Sequence, residues 1–277
     1  MNLLHIIWNP SPIIPIGSFE IRWYGLFFAM GFFFAYTVLY LVFKKEKVPL
    51  KLLDWLTLYF FLATLIGARL GHVLFYEWDY YKDHLSEIPK VWEGGLASHG
   101  AAIAIVMALI IYVWQFKVNV WWLFDRVAIV IPISAAFVRF GNLMNSEIYG
   151  HITTVQWGFI FMRDHAAGLL PRHPTQLYEA FSYLFITALL LILYKNKKGI
   201  IRPGLFVGLF LVIMFTARFL IEFLKEVQVD FEHSMTIDMG QWLSIPFILL
   251  GIYFIYHSIV TDKIPEKPVY EKRGKQK

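Results

Sequence analysis

The sequence predicts an all-α integral membrane protein with seven transmembrane helices and a small extracytoplasmic head region. Hydrophobic residues form 58% of the 277-residue chain and charged residues only 16%, which is more apolar than an ordinary soluble domain. Seven apolar stretches also approach the length of about 20 residues that a helix needs to cross a bilayer. Because most connecting loops are short, we expect a single polytopic membrane domain over residues 1–277.

The apolar stretches define the predicted helices in chain order. The segment before the first helix contains prolines at 10, 12 and 15 and no early positive charge. It is therefore not expected to be a cleavable signal peptide, and we expect it to lie along the outer membrane interface. The predicted helices cover residues 21–43, 52–76, 96–114, 121–143, 177–194, 205–224 and 239–259.

Basic residues are divided unevenly between the two sides of these helices. Four lysines follow the first helix, one follows the third, four basic residues follow the fifth and six lie in the tail, so this side has fifteen basic residues and the opposite side has six. The positive-inside rule therefore predicts an outer amino terminus, a cytoplasmic carboxyl terminus and a disordered cytoplasmic tail at residues 261–277, facing membrane lipid. The net charge of +5 is then mostly a topology signal, and no nucleic-acid partner is expected.

The longest segments on the predicted outer side are residues 77–95 and 145–176. We expect residues 145–176 to form a head loop above the membrane, and we expect function on that side. The chain has no cysteine, which excludes disulfides, thiolate metal sites and a cysteine nucleophile. Its histidines also lack the spacing of common metal-binding motifs. Neither a metal nor another cofactor is expected.

Three arginines lie inside otherwise apolar stretches, namely Arg69, Arg139 and Arg218. A guanidinium stays protonated, and placing one in the centre of a membrane helix costs roughly 2.5–3.5 kcal/mol on insertion scales. These arginines therefore need partners, water or an anionic ligand inside the protein. A phosphate is the leading candidate ligand.

The end of the fourth helix carries the densest group of polar residues. Arg139 and Asn142 share a helical face, Asn145 follows one turn later, and Glu147 and Gly150 lie just beyond the predicted helix end. One interpretation is a helix terminus held by asparagine side chains, with Arg139 paired to a glutamate. The other is a polar binding site at membrane depth, which two asparagines favour.

Arg218 and Glu222 are four residues apart near the outer end of the sixth helix. They could form a self-neutralising pair. Alternatively, Glu222 could orient a guanidinium that binds a ligand oxygen through two hydrogen bonds. The two interpretations are compatible.

His99 lies where the third helix begins, between Gly94-Gly95 and Gly100. A single histidine is most often structural, but one at a glycine-lined helix start beside a charged cavity could take part in proton transfer. The spacing Gly67-x-x-x-Gly71 around Arg69 predicts close helix packing with Arg69 facing inward.

Seven further motifs are spread along nearly the whole chain, namely RWYG, GARLGHVLFY, WEGGLASHG, VRFGNLMNSEIYGH, PRHPTQLYEA, RFLIEF and MGQWLSIP. In their residues and in their order, these motifs resemble the prolipoprotein diacylglyceryl transferase family. The resemblance implies transfer of a diacylglyceryl group from phosphatidylglycerol to the lipobox cysteine thiol of a preprolipoprotein, with release of glycerol phosphate. It also implies a place in the bacterial cytoplasmic (inner) membrane and the first step of lipoprotein maturation.

Residue roles follow from combining the resemblance with this chemistry. Arg139 and Arg218 are expected to clamp the departing phosphate, His99 to act as base or hydrogen-bond donor, and Tyr24 to assist. The expected substrate-binding residues also include Asn142, Asn145, Glu147, Gly150 and Gly100. The expected supporting residues are Arg69 and two carboxylates, Asp125 and Glu222, which are expected to hold arginines in place.

Two other functional classes are compatible with the residues alone. A transporter for anionic metabolites would bind its substrate with intramembrane arginines. A ligand-sensing receptor with seven helices would have larger cytoplasmic loops than those predicted here. Both would leave phosphatidylglycerol chemically intact.

Overall fold

Eight α-helices dominate the fold, in a computed structural model that describes residues 5–17, 19–165, 168–227 and 236–261. Among these residues, seven helices are long and apolar enough to cross a membrane, and α3 is a single turn. The seven-helix prediction is therefore confirmed, with each predicted end within two residues of the observed one. The helices are α1 Trp23–Lys45, α2 Leu50–Phe75, α3 Trp78–Tyr81, α4 Ser98–Phe116, α5 Val120–Asn145, α6 Thr175–Asn196, α7 Leu205–Glu222 and α8 Met239–Val260.

Helix ends follow from local residue chemistry. Pro49 precedes α2, Gly204 adopts a left-handed conformation before α7, and Asp238 with Gln241 forms a reciprocal capping box at the start of α8. The predicted tail lies outside the described residues, apart from Thr261.

The described chain divides into two compact units, the first containing residues 5–38 and 124–261 and the second residues 39–123. In the second unit α2 packs closely on α4. A Cβ atom built on Gly71 would lie 2.6 Å from the Cα atom of Gly100, and one on Gly67 would also meet the backbone of Gly100. The close helix packing predicted from the Gly67-x-x-x-Gly71 spacing is thus confirmed.

In the first unit α7 packs on α6 and α8, and short strands accompany the loop between α5 and α6. The strand β1 (Ile6–Trp8) pairs in parallel with β4 (Phe159–Phe161), and β2 (Ile13–Ile16) pairs antiparallel with β3 (Phe19–Arg22). The indole of Trp8 donates a hydrogen bond to the carbonyl oxygen of Leu143 at 2.9 Å. These strands, which hydropathy did not predict, give the expected head region a small folded base.

Candidate functional site

A cluster of five charged side chains forms in the first unit where helix ends meet. Arg139 comes from α5, Glu179 from the second turn of α6, Arg218 and Glu222 from α7, and Lys225 from the turn that follows α7. We call these five residues the ion cluster. Arg139 and Arg218, far apart in sequence, are therefore brought together as the phosphate interpretation requires.

Glu179 lies at the centre of the ion cluster, with no exposed side-chain surface. Its Oε2 atom lies 2.6 Å from Nε of Arg139, and its Oε1 atom lies 3.1 Å from Nζ of Lys225. Nζ of Lys225 also lies 3.1 Å from Oε2 of Glu222. Among the described residues, the nearest carboxylate contact of Arg218 is longer, at 4.0 Å from its Nη1 to Oε1 of Glu179.

Exposure separates the cations of the ion cluster. The exposed side-chain fraction is 3% for Lys225, 15% for Arg139 and 30% for Arg218. Lys225 is enclosed and paired with two carboxylates, whereas Arg218 is the most accessible and the least closely paired. Because a cation without a close counter-ion attracts anions most strongly, Arg218 is the best placed to meet an anionic ligand.

A helix terminus also stabilises one carboxylate of the ion cluster. Glu222 lies against the first turn of α8, because a Cβ atom built on Gly240 would contact its carboxyl group. The amino-terminal end of a helix favours a carboxylate, so Gly240 permits a favourable approach.

Polar side chains continue from the ion cluster along the end of α5. Arg139 Nη1 donates a hydrogen bond to Oδ1 of Asn142 at 3.1 Å. The amide groups of Asn142 and Asn145 both donate to Oε1 of Glu147, at 2.7 and 3.3 Å. The predicted residues from Arg139 to Glu147 therefore form one connected hydrogen-bonded chain.

The turn that carries Glu147 is conformationally strained. Ser146 and Ile148 on either side of it have φ angles of 58° and 60°, which is unusual for a residue with a side chain and especially so for a β-branched one. Gln176 donates to the carbonyl oxygen of Glu147 at 2.7 Å, and Thr175 donates to that of Ile148 at 3.0 Å. The start of α6 thus fixes the Glu147 turn from outside.

Gly150 is enclosed by backbone on both sides. Its N–H donates to the carbonyl oxygen of His173 at 2.8 Å, and it forms an isolated antiparallel bridge with Lys225. A Cβ atom at this position would lie 2.8 Å from side-chain atoms of His173 and Thr175. Packing alone therefore explains the glycine, and a contact between Gly150 and substrate remains a prediction.

Tyr24 lies beside the same end of α5. Its ring packs over Gly141, where a Cβ atom would lie 2.8 Å from Cδ2 of Tyr24. The phenol is close enough to Arg139 and Glu147 for their charges to act on it. Tyr24 thus joins the predicted residues of the first unit.

The predicted residues of the second unit have different surroundings. His99 lies in the first turn of α4 with an exposed side chain, and Gly100 is buried against α2. Arg69 is 3% exposed and donates to three backbone carbonyls at 2.8 Å, those of Glu87, Ile88 and Gly94. Its guanidinium also lies 5.0 Å from the ring centroid of Tyr81.

Asp125, predicted to hold an arginine, accepts hydrogen bonds from the start of α7. Its carboxylate receives the backbone N–H groups of Gly204, Phe206 and Val207 at 2.9 to 3.1 Å. The carboxylate also interacts electrostatically with the neighbouring Arg126. The contacts make Asp125 an anchor for α7, and α7 carries Arg218.

The head region has a further group of polar pairs. Arg172 pairs with Glu226, and its guanidinium lies 5.0 Å from the ring centroid of Tyr149. The Tyr149 hydroxyl donates to Oδ2 of Asp164 at 2.6 Å. Burial and this hydrogen bond raise the pKa of Tyr149 to about 12.

Glu179 and Lys225 were not among the site residues predicted from the sequence. Glu179 occurs in the stretch PTQLYEA, where it was compatible with an ordinary helix start, and Lys225 follows an apolar helix as many lysines do. The sequence nevertheless contained a signal, because Glu179 lies within a predicted membrane helix and a carboxylate at such a position needs a cation as its partner. Which cation it finds depends on tertiary contacts.

Comparison with known proteins agrees with these observations. A family described as prolipoprotein diacylglyceryl transferase matches residues 12–257. The chain is 45% identical over 267 residues to a Bacteroides fragilis protein named phosphatidylglycerol–prolipoprotein diacylglyceryl transferase, covering 92% of this chain and 95% of the relative.

Two further relatives carry the same name. The Tolumonas auensis protein is 45% identical over 249 residues, covering 89% of this chain and 95% of the relative. The Chloroherpeton thalassium protein is 43% identical over 257 residues, covering 92% and 95%. With its seven apolar helices and its bacterial relatives, this chain is a multi-pass bacterial membrane protein.

Proposed function

This chain belongs to the prolipoprotein diacylglyceryl transferase family, and we propose that it transfers the diacylglyceryl group of phosphatidylglycerol to the lipobox cysteine thiol of preprolipoproteins. This is the first step of lipoprotein maturation. The sulfur atom attacks a glycerol carbon of the lipid, a carbon–sulfur bond forms and the carbon–oxygen bond to phosphate breaks. The bonding electrons leave on the phosphate oxygen, so glycerol phosphate departs as an anion.

The ion cluster is the observation that carries this proposal. Negative charge grows on the phosphate ester as the carbon–oxygen bond breaks, so a fixed cation beside that oxygen stabilises the transition state more than the ground state. Arg218 is accessible and loosely paired, and Arg139 stands on the other side of Glu179. We assign the phosphate clamp to these two arginines.

The hydrogen-bonded chain from Asn142 to Glu147 is assigned to the lipid headgroup. Phosphatidylglycerol carries hydroxyl groups that amide and carboxylate side chains can bind. The strained Glu147 turn supports this assignment, because strained backbone persists where the surrounding structure enforces it and is concentrated at binding sites. Gly150 and Gly100 are proposed to allow backbone approach to the lipid.

A base is needed for the thiol, because near neutral pH only a few per cent of a free cysteine is ionised. His99 is proposed to accept this proton or to donate a hydrogen bond. Its exposure at the start of α4 and the capacity of an imidazole ring both to accept and to donate a proton support the role. Tyr24 is proposed as a second polar participant beside Arg139.

Three residues are proposed to act indirectly. Asp125 anchors the start of α7, Glu222 pairs with Lys225 at the other end of α7, and Arg69 holds the loop that precedes α4. Each fixes an element that carries a proposed site residue.

We further propose that the amino terminus is outside and the carboxyl terminus is in the cytoplasm of the inner membrane. The uneven distribution of basic residues supports this orientation. Residues 145–176 would then form a head on the outer side, where a preprolipoprotein presents its lipobox. The ion cluster would face the outer leaflet, which contains the lipid substrate.

The test is a reaction of the purified protein with phosphatidylglycerol and a lipobox peptide. We expect the peptide to gain the mass of a diacylglyceryl group and glycerol phosphate to be released in equal amount. A peptide with serine in place of the cysteine is the matched control, since it lacks the thiol. Unchanged peptide mass in the presence of intact phosphatidylglycerol would reject the transfer and leave transport or sensing as the alternatives.

A further inference from the structure

Glu179 occupies an unusual electrostatic position. It is a fully buried carboxylate with three cations around it, of which Arg139 and Lys225 are close and Arg218 is distant. A carboxylate buried in this way is stable only if the cations compensate its lost hydration. Its charge and the places of its neighbours therefore depend on one another.

The two oxygen atoms of Glu179 have separate partners. Oε2 contacts Nε of Arg139, whose Nη1 donates to Asn142, so the planar guanidinium is held at two edges. Oε1 lies 3.1 Å from Nζ of Lys225 and accepts a hydrogen bond from the Tyr183 hydroxyl at 3.4 Å, whereas Nη1 of Arg218 is 4.0 Å away. Glu179 therefore holds Arg139 in one orientation and is paired more closely with Lys225 than with Arg218.

Charge counting agrees with a single anionic ligand. The ion cluster contains three cations and two carboxylates, so with all five ionised it has one positive charge in excess. A phosphodiester carries one negative charge. Lys225 contributes to this positive charge but is not placed to contact the ligand, because only 3% of its side chain is exposed.

We propose that Glu179 is a positioning residue, with Lys225 as its fixed counter-charge, and that the pair orients Arg139 while leaving Arg218 available to the phosphodiester. The inference deepens the proposed transfer reaction and rests on it for its kinetic consequence. Neither residue contacts the reacting atoms in this scheme. Each acts through the arginines.

Four variants test the pair, namely Glu179→Gln, Glu179→Asp, Lys225→Met and the double variant Glu179→Gln/Lys225→Met. Glu179→Gln keeps the side-chain shape but removes one negative charge, so the excess of positive charge in the ion cluster rises from one to two. We therefore expect a lower thermal midpoint. We also expect kcat to fall about 100-fold, because misplaced catalytic groups cost this much, with less than a threefold change in KM for phosphatidylglycerol. Glu179→Asp keeps the charge and should recover part of kcat.

The double variant separates positioning from charge balance. Removing the positive charge of Lys225 together with the negative charge of Glu179 restores the original excess of one positive charge. The thermal midpoint of the double variant should therefore be higher than that of Glu179→Gln. The orientation of Arg139 is not restored, so kcat should stay low. Recovery of kcat in the double variant would show that Glu179 acts through charge balance alone and would overturn the positioning role.

The matched control is Glu87→Gln, which changes a carboxylate paired with Tyr80 and Lys90 in the other unit. We expect it to keep wild-type kcat. A Glu179→Gln protein that melts early yet turns over normally per folded molecule would also overturn the proposal. Inactive wild-type protein would instead reject the transfer reaction, and additive midpoint shifts at positions 179 and 225 would separately reject the pairing.

Discussion

Arg69 and Arg218 are both membrane-helix arginines, but their charge is accommodated in different ways. Arg69 is 3% exposed and its donors are taken by neutral backbone carbonyls. Arg218 is 30% exposed, and the nearest carboxylate oxygen in the described part of the chain is 4.0 Å away. The carbonyls order a loop around Arg69, whereas Arg218 keeps unused capacity for an anion. The role of an intramembrane arginine is therefore indicated by its partners rather than by its presence alone.

The largest expected effect is on turnover after removal of the Arg218 charge. Arg218→Gln should lower kcat by about 100- to 1,000-fold, the usual cost of deleting a group that stabilises transition-state charge. The thermal midpoint should change little, because the side chain is accessible and its ion pair is long. Arg218→Lys should remain impaired, since lysine keeps the charge but loses the planar fork.

The control for Arg218 is Arg163→Gln, which removes an exposed head-region arginine whose described contacts are long ones to the backbone oxygens of Pro10 and Met144, at 3.5 and 3.4 Å. Wild-type kcat in Arg218→Gln would remove the distinction between the two arginines.

The opposite pattern is expected at Arg69. Arg69→Gln would leave buried carbonyl groups of the loop without a donor, which should cost on the order of 3 kcal/mol of stability. A clear drop of the thermal midpoint should therefore accompany less than a tenfold change in turnover per folded molecule. Lost turnover at an unchanged midpoint would instead place Arg69 with the ligand-binding arginines.

A smaller effect is expected from crowding a carboxylate of the ion cluster. Gly240→Ala would place a methyl group against the carboxyl group of Glu222, with a cost of about 1–2 kcal/mol for overpacking. We expect a lower thermal midpoint and a reduced kcat, because Glu222 helps to hold Lys225. Gly25→Ala is the matched helical control, since nothing lies within 4 Å of a Cβ atom there.

The smallest expected effect concerns Tyr149, a head-region tyrosine whose ring lies 5.0 Å from the guanidinium of Arg172. The pKa of Tyr149 is raised to about 12 by burial and by the hydrogen bond to Asp164, while a tyrosine in the unfolded chain ionises near pH 10. Stability from this group is therefore complete below pH 10 and is lost between about pH 10 and 12, as the unfolded state gives up its proton first.

Thermal midpoints measured from pH 9 to 12 would check this prediction. Tyr149→Phe should be less stable at pH 9, because it lacks the bond to Asp164, and its midpoint should fall less steeply toward pH 12. Parallel curves for the two proteins would show that Tyr149 does not contribute to the alkaline transition.

Local patterns in the sequence were sufficient for the part of the site that lies on one helix. The three-residue spacing of Arg139 and Asn142 predicted a shared face, and the two side chains are hydrogen-bonded. The four-residue spacing of Arg218 and Glu222 was less informative, because the observed contacts run from Glu222 to Lys225 and from Arg218 to Glu179. Spacing identifies possible neighbours, and competition from other helices selects among them.

The short strands were missed for a related reason. The strand β1 lies near the amino terminus and pairs with β4, which is far along the chain. Both are only three residues long, too short for a period of two to be distinguished from an apolar loop. Their pairing depends on a contact between segments that are about 150 residues apart in the sequence, which a local pattern does not reveal.

The seven helices and their ends follow from local features of the sequence, because helix formation in a bilayer depends on local apolar length and on residues at each terminus. The need to compensate three arginines in apolar stretches is equally visible there. The compensating groups are seen only in the folded chain, in which carbonyls compensate Arg69, Glu179 compensates Arg139 and Arg218 keeps an accessible charge. Electrostatic energy depends on distance in space, and segments distant along the chain supply these carboxylates and carbonyls.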